Sequence, residues 1–295
     1  MLLQKTFEHF SSNFKKRRAG KFVLDNEARI IVITGNKGQG KTKILNEFSR
    51  RIDENHLISI EVQPEYKEIP FLTVRKIFEW MLGFRKDMHS EEKQMKLRYI
   101  LGNLELSDYL CSLNSIFGTN FEETETFKMS PSHEKYIVLE HMLKRLGYEC
   151  FNYPHVLVMD AADSIDSHSC GILFELIEAR ICFLIVTISR NCHLNLEAEG
   201  LMKHKDRIQI DLENLQHIDQ IALVCQILHV HAIPCELERI IEKNGEGNPG
   251  KIEDILFKML ENNELILKLM SREKIKEMNL IVPPMHLIQR SMVRD

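Results

Sequence analysis

The residues best suited to chemistry stand together in Gly35-Asn36-Lys37-Gly38-Gln39-Gly40-Lys41-Thr42. This string fits GxxxxGK[ST], a spacing in which each residue type has its own duty. Glycines admit positive φ and let backbone N–H groups close around phosphate oxygens, while a helix starting behind them presents unpaired N–H donors and the positive end of its dipole. In that arrangement Gly35, Gly38 and Gly40 shape the loop, Lys41 reaches the β- and γ-phosphates, and Thr42 sets its hydroxyl on Mg²⁺. The alternative is a glycine turn that only caps a helix.

A phosphate loop of this kind needs a second acidic group for the hydrated metal, placed at the end of another buried strand. Asp160 closes the apolar run Val156 to Met159 and fits that duty, although a strand-terminal Asp also serves as a helix N-cap. The next position, where a carboxylate orienting water is expected in a hydrolytic site, is Ala161. Loss of a general base lowers a rate by about 10²–10⁴, so the residues point to binding more firmly than to turnover. Asp163 and Asp166 are the carboxylates left to act as substitutes. The strand end Thr187-Ile188-Ser189-Arg190 brings polar groups to the edge where ligands of open α/β sheets sit, with Ser189 or Thr187 sensing the γ-phosphate and Arg190 contacting it. A plain strand-end turn reads the same.

These residues need strands and helices to hold them. Ala28 to Thr34 is a β-branched apolar run without alternation, the mark of a strand covered on both faces, and it stops at Gly35. A helix follows from Thr42 to Ile52, then a strand from Leu57 to Val62, which makes a βαβ unit. Residues 71 to 146 hold only helical patterns, and strands resume at Val156–Asp160, Cys182–Ser189 and Arg207–Leu212. The expected fold is therefore α/β: a P-loop NTPase core with a five-stranded, mostly parallel sheet. The expected divisions are an N-terminal amphipathic helix and linker over 1–21, carrying Phe7, Phe10 and Phe14; a core over 22–212 with a helical insertion at 71–146; a helical lid over 213–280; and the start of a further region at 281–295.

Composition narrows the classes. The chain of 295 residues has 39 Lys+Arg against 43 Asp+Glu, a formal net charge of −4, which does not favour a protein that wraps nucleic acid. The basic run Lys15 to Arg18 reads either as a solvated helix end or as a nuclear or membrane-surface address. Seven scattered cysteines without a CxxC pair read as reduced thiols, and no apolar stretch is long enough for a transmembrane segment, so a cytoplasmic protein is expected. Cys225, His229, His231 and Cys235 lie close in sequence, but Cys225 falls inside an apolar helical run and the spacing matches no zinc module.

With the glycine loop, the acidic strand end, the polar strand end at Ser189 and a helical C-terminal part in this order, the chain resembles a STAND or AAA+ type ATPase module. Gly245-Glu246-Gly247-Asn248-Pro249-Gly250 resembles the GxP element of STAND lids, which implies that Pro249 packs against adenine; a helix-breaking proline before a new helix reads the same. The stretches Gly38 to Leu45, Met159 to Asp166 and Val282 to Leu287 are similar to the nucleotide-binding region that follows the two cyclase domains in the soluble adenylyl cyclase (adenylate cyclase type 10) family. The resemblance implies ATP and Mg²⁺ as ligands, a place in cAMP signalling, and another protein or cyclase domains as partner. The family's acidic strand reads Asp-Glu-Ala-Gln, so Ala161 departs from it where hydrolysis is concerned, while Asp166 matches a later Asp. Neither cyclase domain is recognisable, so the chain is not expected to make cyclic AMP by itself, and it reads as an isolated module or a truncated relative. Three functions follow as expectations: a nucleotide switch with weak or no hydrolysis, an active ATPase using Asp163 or Asp166, or an interaction module with a relic loop.

Overall fold

A computed structural model of the chain describes residues 29–102, 107–151, 155–266 and 280–283. The helix expected within 1–21, the last part of the lid expected over 213–280, and most of 281–295 lie outside the described residues.

The sheet has five strands, β1 (Ile30–Gly35), β2 (Leu57–Glu61), β3 (His155–Asp160), β4 (Cys182–Ser189) and β5 (Arg207–Asp211), in the order β2-β3-β4-β1-β5. All five run parallel. The apolar runs that announce β1 and β4 are those the sheet covers on both faces: every residue of β1 is buried, as is every residue of β4 except Ser189. Register aligns Glu61 with Asp160 and Met159 with Val186, so the carboxyl ends of β2, β3 and β4 emerge along one edge.

Among the described residues the helices are α1 (Lys41–Ser49), α2 (Leu72–Met81), α3 (Ser90–Leu101), α4 (Asn114–Phe117), α5 (Glu125–Met129), α6 (Ser132–Cys150), α7 (Ser167–Glu178), α8 (Leu196–Met202), α9 (His217–Ile227), α10 (Cys235–Gly245) and α11 (Pro249–Glu261). Helices α2 to α6 do not form a body apart from the sheet. Phe71, Phe78, Leu97, Phe117 and Met142 share one continuous core with Ile30, Ile58 and Leu184. Among the described residues no helix is long and apolar enough to cross a membrane.

The described residues fall into two compact units. One joins β1 up to Thr34 with Thr42–Ile210; the other joins Gly35–Lys41 with the chain from Asp211 onward. The second unit has a core of its own, in which Val224, Cys225, Ile252 and Leu256 are fully buried. It also holds an antiparallel bridge between Ile233 and Ile281, bonded in both directions at 3.0 and 2.9 Å. Cys225 packs fully buried in α9, and that burial pushes its thiol up to about 11.

Candidate functional site

The glycine loop connects the end of β1 to the first residue of α1. Gly38 and Gly40 have φ of +83° and +88°, values a side chain rarely adopts, so the loop's shape depends on glycine at these two places. Within the loop, the Asn36 N–H donates to Gln39 Oε1 at 2.5 Å and the Gln39 N–H to the Asn36 carbonyl at 3.3 Å. The Lys41 ammonium reaches back along the loop to the carbonyls of Gly35 and Asn36 at 2.8 and 3.1 Å.

The same unit supplies an outer support for the loop. Asn248 precedes α11 and caps it, its Oδ1 accepting from the N–H groups of Gly250 and Lys251 at 3.0 and 3.2 Å. Its Nδ2 donates to the Lys37 carbonyl at 2.9 Å, and the Gly250 N–H donates to the Gly38 carbonyl at 2.9 Å. Gln39 is tied in turn to Asn214 at 2.6 Å, and Asn214 to the Glu246 carbonyl at 2.9 Å. Pro249 occupies the start of α11, where its fixed φ and missing N–H suit the first turn.

In the sheet unit, Thr42 and Asp160 are brought together: the Thr42 hydroxyl donates to Asp160 Oδ2 at 2.6 Å. The other carboxylate oxygen accepts from the Thr187 hydroxyl and from the Ala161 N–H, the latter at 3.1 Å. Thr187 is fully buried on β4 and also accepts from the Ala161 N–H at 3.0 Å. Thr42 and Asp160 offer the hard oxygen donors that Mg²⁺ selects, and because Mg²⁺ keeps several waters, two protein oxygens are enough. The residues present therefore fit the metal.

Ala161 has φ 55° and ψ 42°, a left-handed conformation that aims its N–H back at Asp160 and Thr187. For an L-residue with a Cβ this conformation costs about 1–2 kcal/mol. Ala161→Gly is expected to raise the unfolding free energy by about 0.5–1 kcal/mol, strain relief outweighing the added freedom of the unfolded chain. Urea titration checks this, and a fall in stability would contradict it.

The two substitute carboxylates are placed differently. Asp163 grips the end of β4: its Oδ1 accepts the Ser189 N–H at 2.8 Å and its Oδ2 the Ser189 hydroxyl at 3.1 Å. Asp166 is 1% exposed and accepts the N–H groups of Ser169, Phe71 and Thr73 at 2.8, 2.8 and 3.1 Å. It thus caps α7 and also serves the start of α2, where Phe71 is left-handed and no local side chain caps the helix. Ser169 adds to that service by accepting the Val74 N–H at 3.1 Å. Burial, with the negative charges of Glu140 and Asp166 beside it, pushes the Tyr136 hydroxyl up to about 12. Arg190 lies exposed just past β4.

No family model matches the chain. Over 257 residues it is 24% identical to adenylate cyclase type 10 of Oryctolagus cuniculus, covering 86% of this chain and 16% of the relative. The human protein of that name is 24% identical over 251 residues, covering 84% of this chain and 16% of its own length, and the Mus musculus protein 23% identical over 265 residues, with 88% and 16% covered. The chain is similar to one segment of adenylate cyclase type 10. It spans 16% of the length of these relatives, so the segment and not the whole protein is the unit of comparison. Among solved structures, C. elegans PCH-2 aligns with a TM-score of 0.33 at 12% identity, covering 77% of this chain and 47% of that one, too slight a likeness to carry an argument.

Sequence reasoning did not anticipate the duties of Asn248, Gln39 and Asn214. Asn248 was visible as the residue before Pro249, a helix N-cap position; its second duty, toward Lys37, joins residues too far apart in sequence for any local pattern to show.

Proposed function

We propose that the chain is a Mg·ATP-binding module of STAND or AAA+ type that acts as a nucleotide-dependent switch, with weak or no hydrolysis and no cyclase activity of its own. The observation that carries this reading is the 2.6 Å hydrogen bond joining Thr42 to Asp160, with the glycine loop immediately before Thr42. In this reading the loop N–H groups and Lys41 hold the phosphates, and Thr42 and Asp160 hold the metal. When bound, Mg²⁺ neutralises charge on the β- and γ-phosphates. Ser189 and Arg190 take the γ-phosphate and Pro249 the base by resemblance to the family. The similarity to adenylate cyclase type 10 supports a nucleotide ligand and suggests cyclase domains or another protein as partner.

Weak turnover is favoured because a general base must reach the proton of an attacking water. Ala161 has no acid, both oxygens of Asp163 hold Ser189, and Asp166 serves three backbone N–H groups. Titration with a fluorescent ATP analogue is expected to show Mg²⁺-dependent, saturable binding, and multiple-turnover phosphate release to stay near background. Phosphate release from the wild-type chain that Asp163→Asn abolishes would instead establish the active ATPase.

A further inference from the structure

Resting on the nucleotide-binding reading, we infer that Asn248 is a positioning residue that holds the glycine loop in its anion-binding shape and ties that shape to the start of α11. The argument begins with peptide planarity. In a trans peptide the C=O and the following N–H point in opposite directions. Asn248 Nδ2 fixes the Lys37 carbonyl and the Gly250 N–H fixes the Gly38 carbonyl, each at 2.9 Å. The N–H groups of Gly38 and Gln39 are thereby turned away from α11. A loop already set in this way has less conformational entropy to lose when it closes around phosphate oxygens.

The contact is built closely on both sides. A Cβ on Gly38 would lie 2.5 Å from Asn248 Oδ1, and a Cβ on Gly250 would lie 2.8 Å from the Gly38 Cα. Asn248 is 9% exposed, and each end of its amide has a separate duty: Oδ1 caps α11 while Nδ2 holds the loop. Reciprocity then requires that whatever orders the loop also steadies the first turn of α11.

The two duties can be separated. Serine caps a helix about as well as asparagine but is too short to hold the Lys37 carbonyl, so Asn248→Ser removes the loop contact and keeps the cap. Gly250→Ala perturbs the same contact by crowding Gly38 instead. Both variants are expected to keep the wild-type melting temperature within a few degrees, to raise deuterium uptake in peptides spanning Gly35–Lys41 without nucleotide, and to weaken Mg·ATP binding about tenfold, the equivalent of one net hydrogen bond. Unchanged loop uptake in Asn248→Ser overturns the inference whether or not the chain binds nucleotide. A looser loop with undiminished affinity overturns it as well. If the wild-type chain binds no Mg·ATP, the nucleotide reading falls, and with it the anion-binding role of the clasp; loop uptake alone then decides whether Asn248 positions the loop.

Discussion

Replacing Lys41 by alanine is expected to weaken Mg·ATP binding by about a hundredfold, the loss that follows from removing a charged donor from a phosphate site. The ammonium donates to the carbonyls of Gly35 and Asn36, so it is already gathered onto the loop it serves. These contacts lie on a half-exposed side chain and involve carbonyls that water can also satisfy, so the substitution is expected to change stability by less than about 0.5 kcal/mol. A large loss of affinity with an intact fold is therefore the signature sought. Isothermal titration of Lys41→Ala beside the wild type measures it, and undiminished binding would remove the loop from the nucleotide site.

The second large effect is on the fold. Asp166→Ala is expected to destabilise the protein by about 3–5 kcal/mol, because it leaves the buried N–H groups of Phe71, Thr73 and Ser169 without their acceptor. Asp166→Asn keeps one acceptor oxygen and is expected to lose about half as much. Guanidinium titration measures both. The series also separates the two duties weighed for this carboxylate. A hydrolytic base would lose its activity on conversion to Asn with little change in stability; a capping carboxylate shows a graded loss of stability in both variants.

The contrast between Asp160 and Asp166 shows what a sequence can and cannot convey here. Both are acids following apolar residues near the end of β3, and both suggest chemistry. Residue type and spacing carry the pairing of the first with Thr42, because Thr42 belongs to a motif that can be read alone. They do not carry the second, whose partners Phe71 and Thr73 lie on the far side of a long helical stretch. The same limit applies to α2. Its first turn has no local cap, and its N–H groups are served by Asp166, which precedes α7, and by Ser169 within α7, so no start signal stands beside it in the sequence.

Strands were the more legible elements. A run such as Cys182–Ser189 is apolar throughout because helices and sheet cover both its faces, and the structure ends β4 at the residues where the run ends. The stretch from Ser107 to Met129 was less so, breaking into a 3-10 segment and the short helices α4 and α5 where the pattern suggested only helix. Left-handed Gly118 ends α4, and extended Thr124 starts α5 as a cap for the Phe127 N–H at 3.3 Å. Those breaks depend on single residues, which a periodicity averages away.

The central claim, that this chain binds Mg·ATP through its glycine loop, is tested most directly by thermal melting of the wild-type chain with and without the ligand. At about 100 times Kd a ligand that binds only the folded state adds about 2.7 kcal/mol, which for a chain of this size raises the melting temperature by roughly 5–10 °C. A shift of that order that requires Mg²⁺ is the expected result. A melting temperature indifferent to Mg·ATP at every concentration would contradict the account and leave the loop a relic in an interaction module.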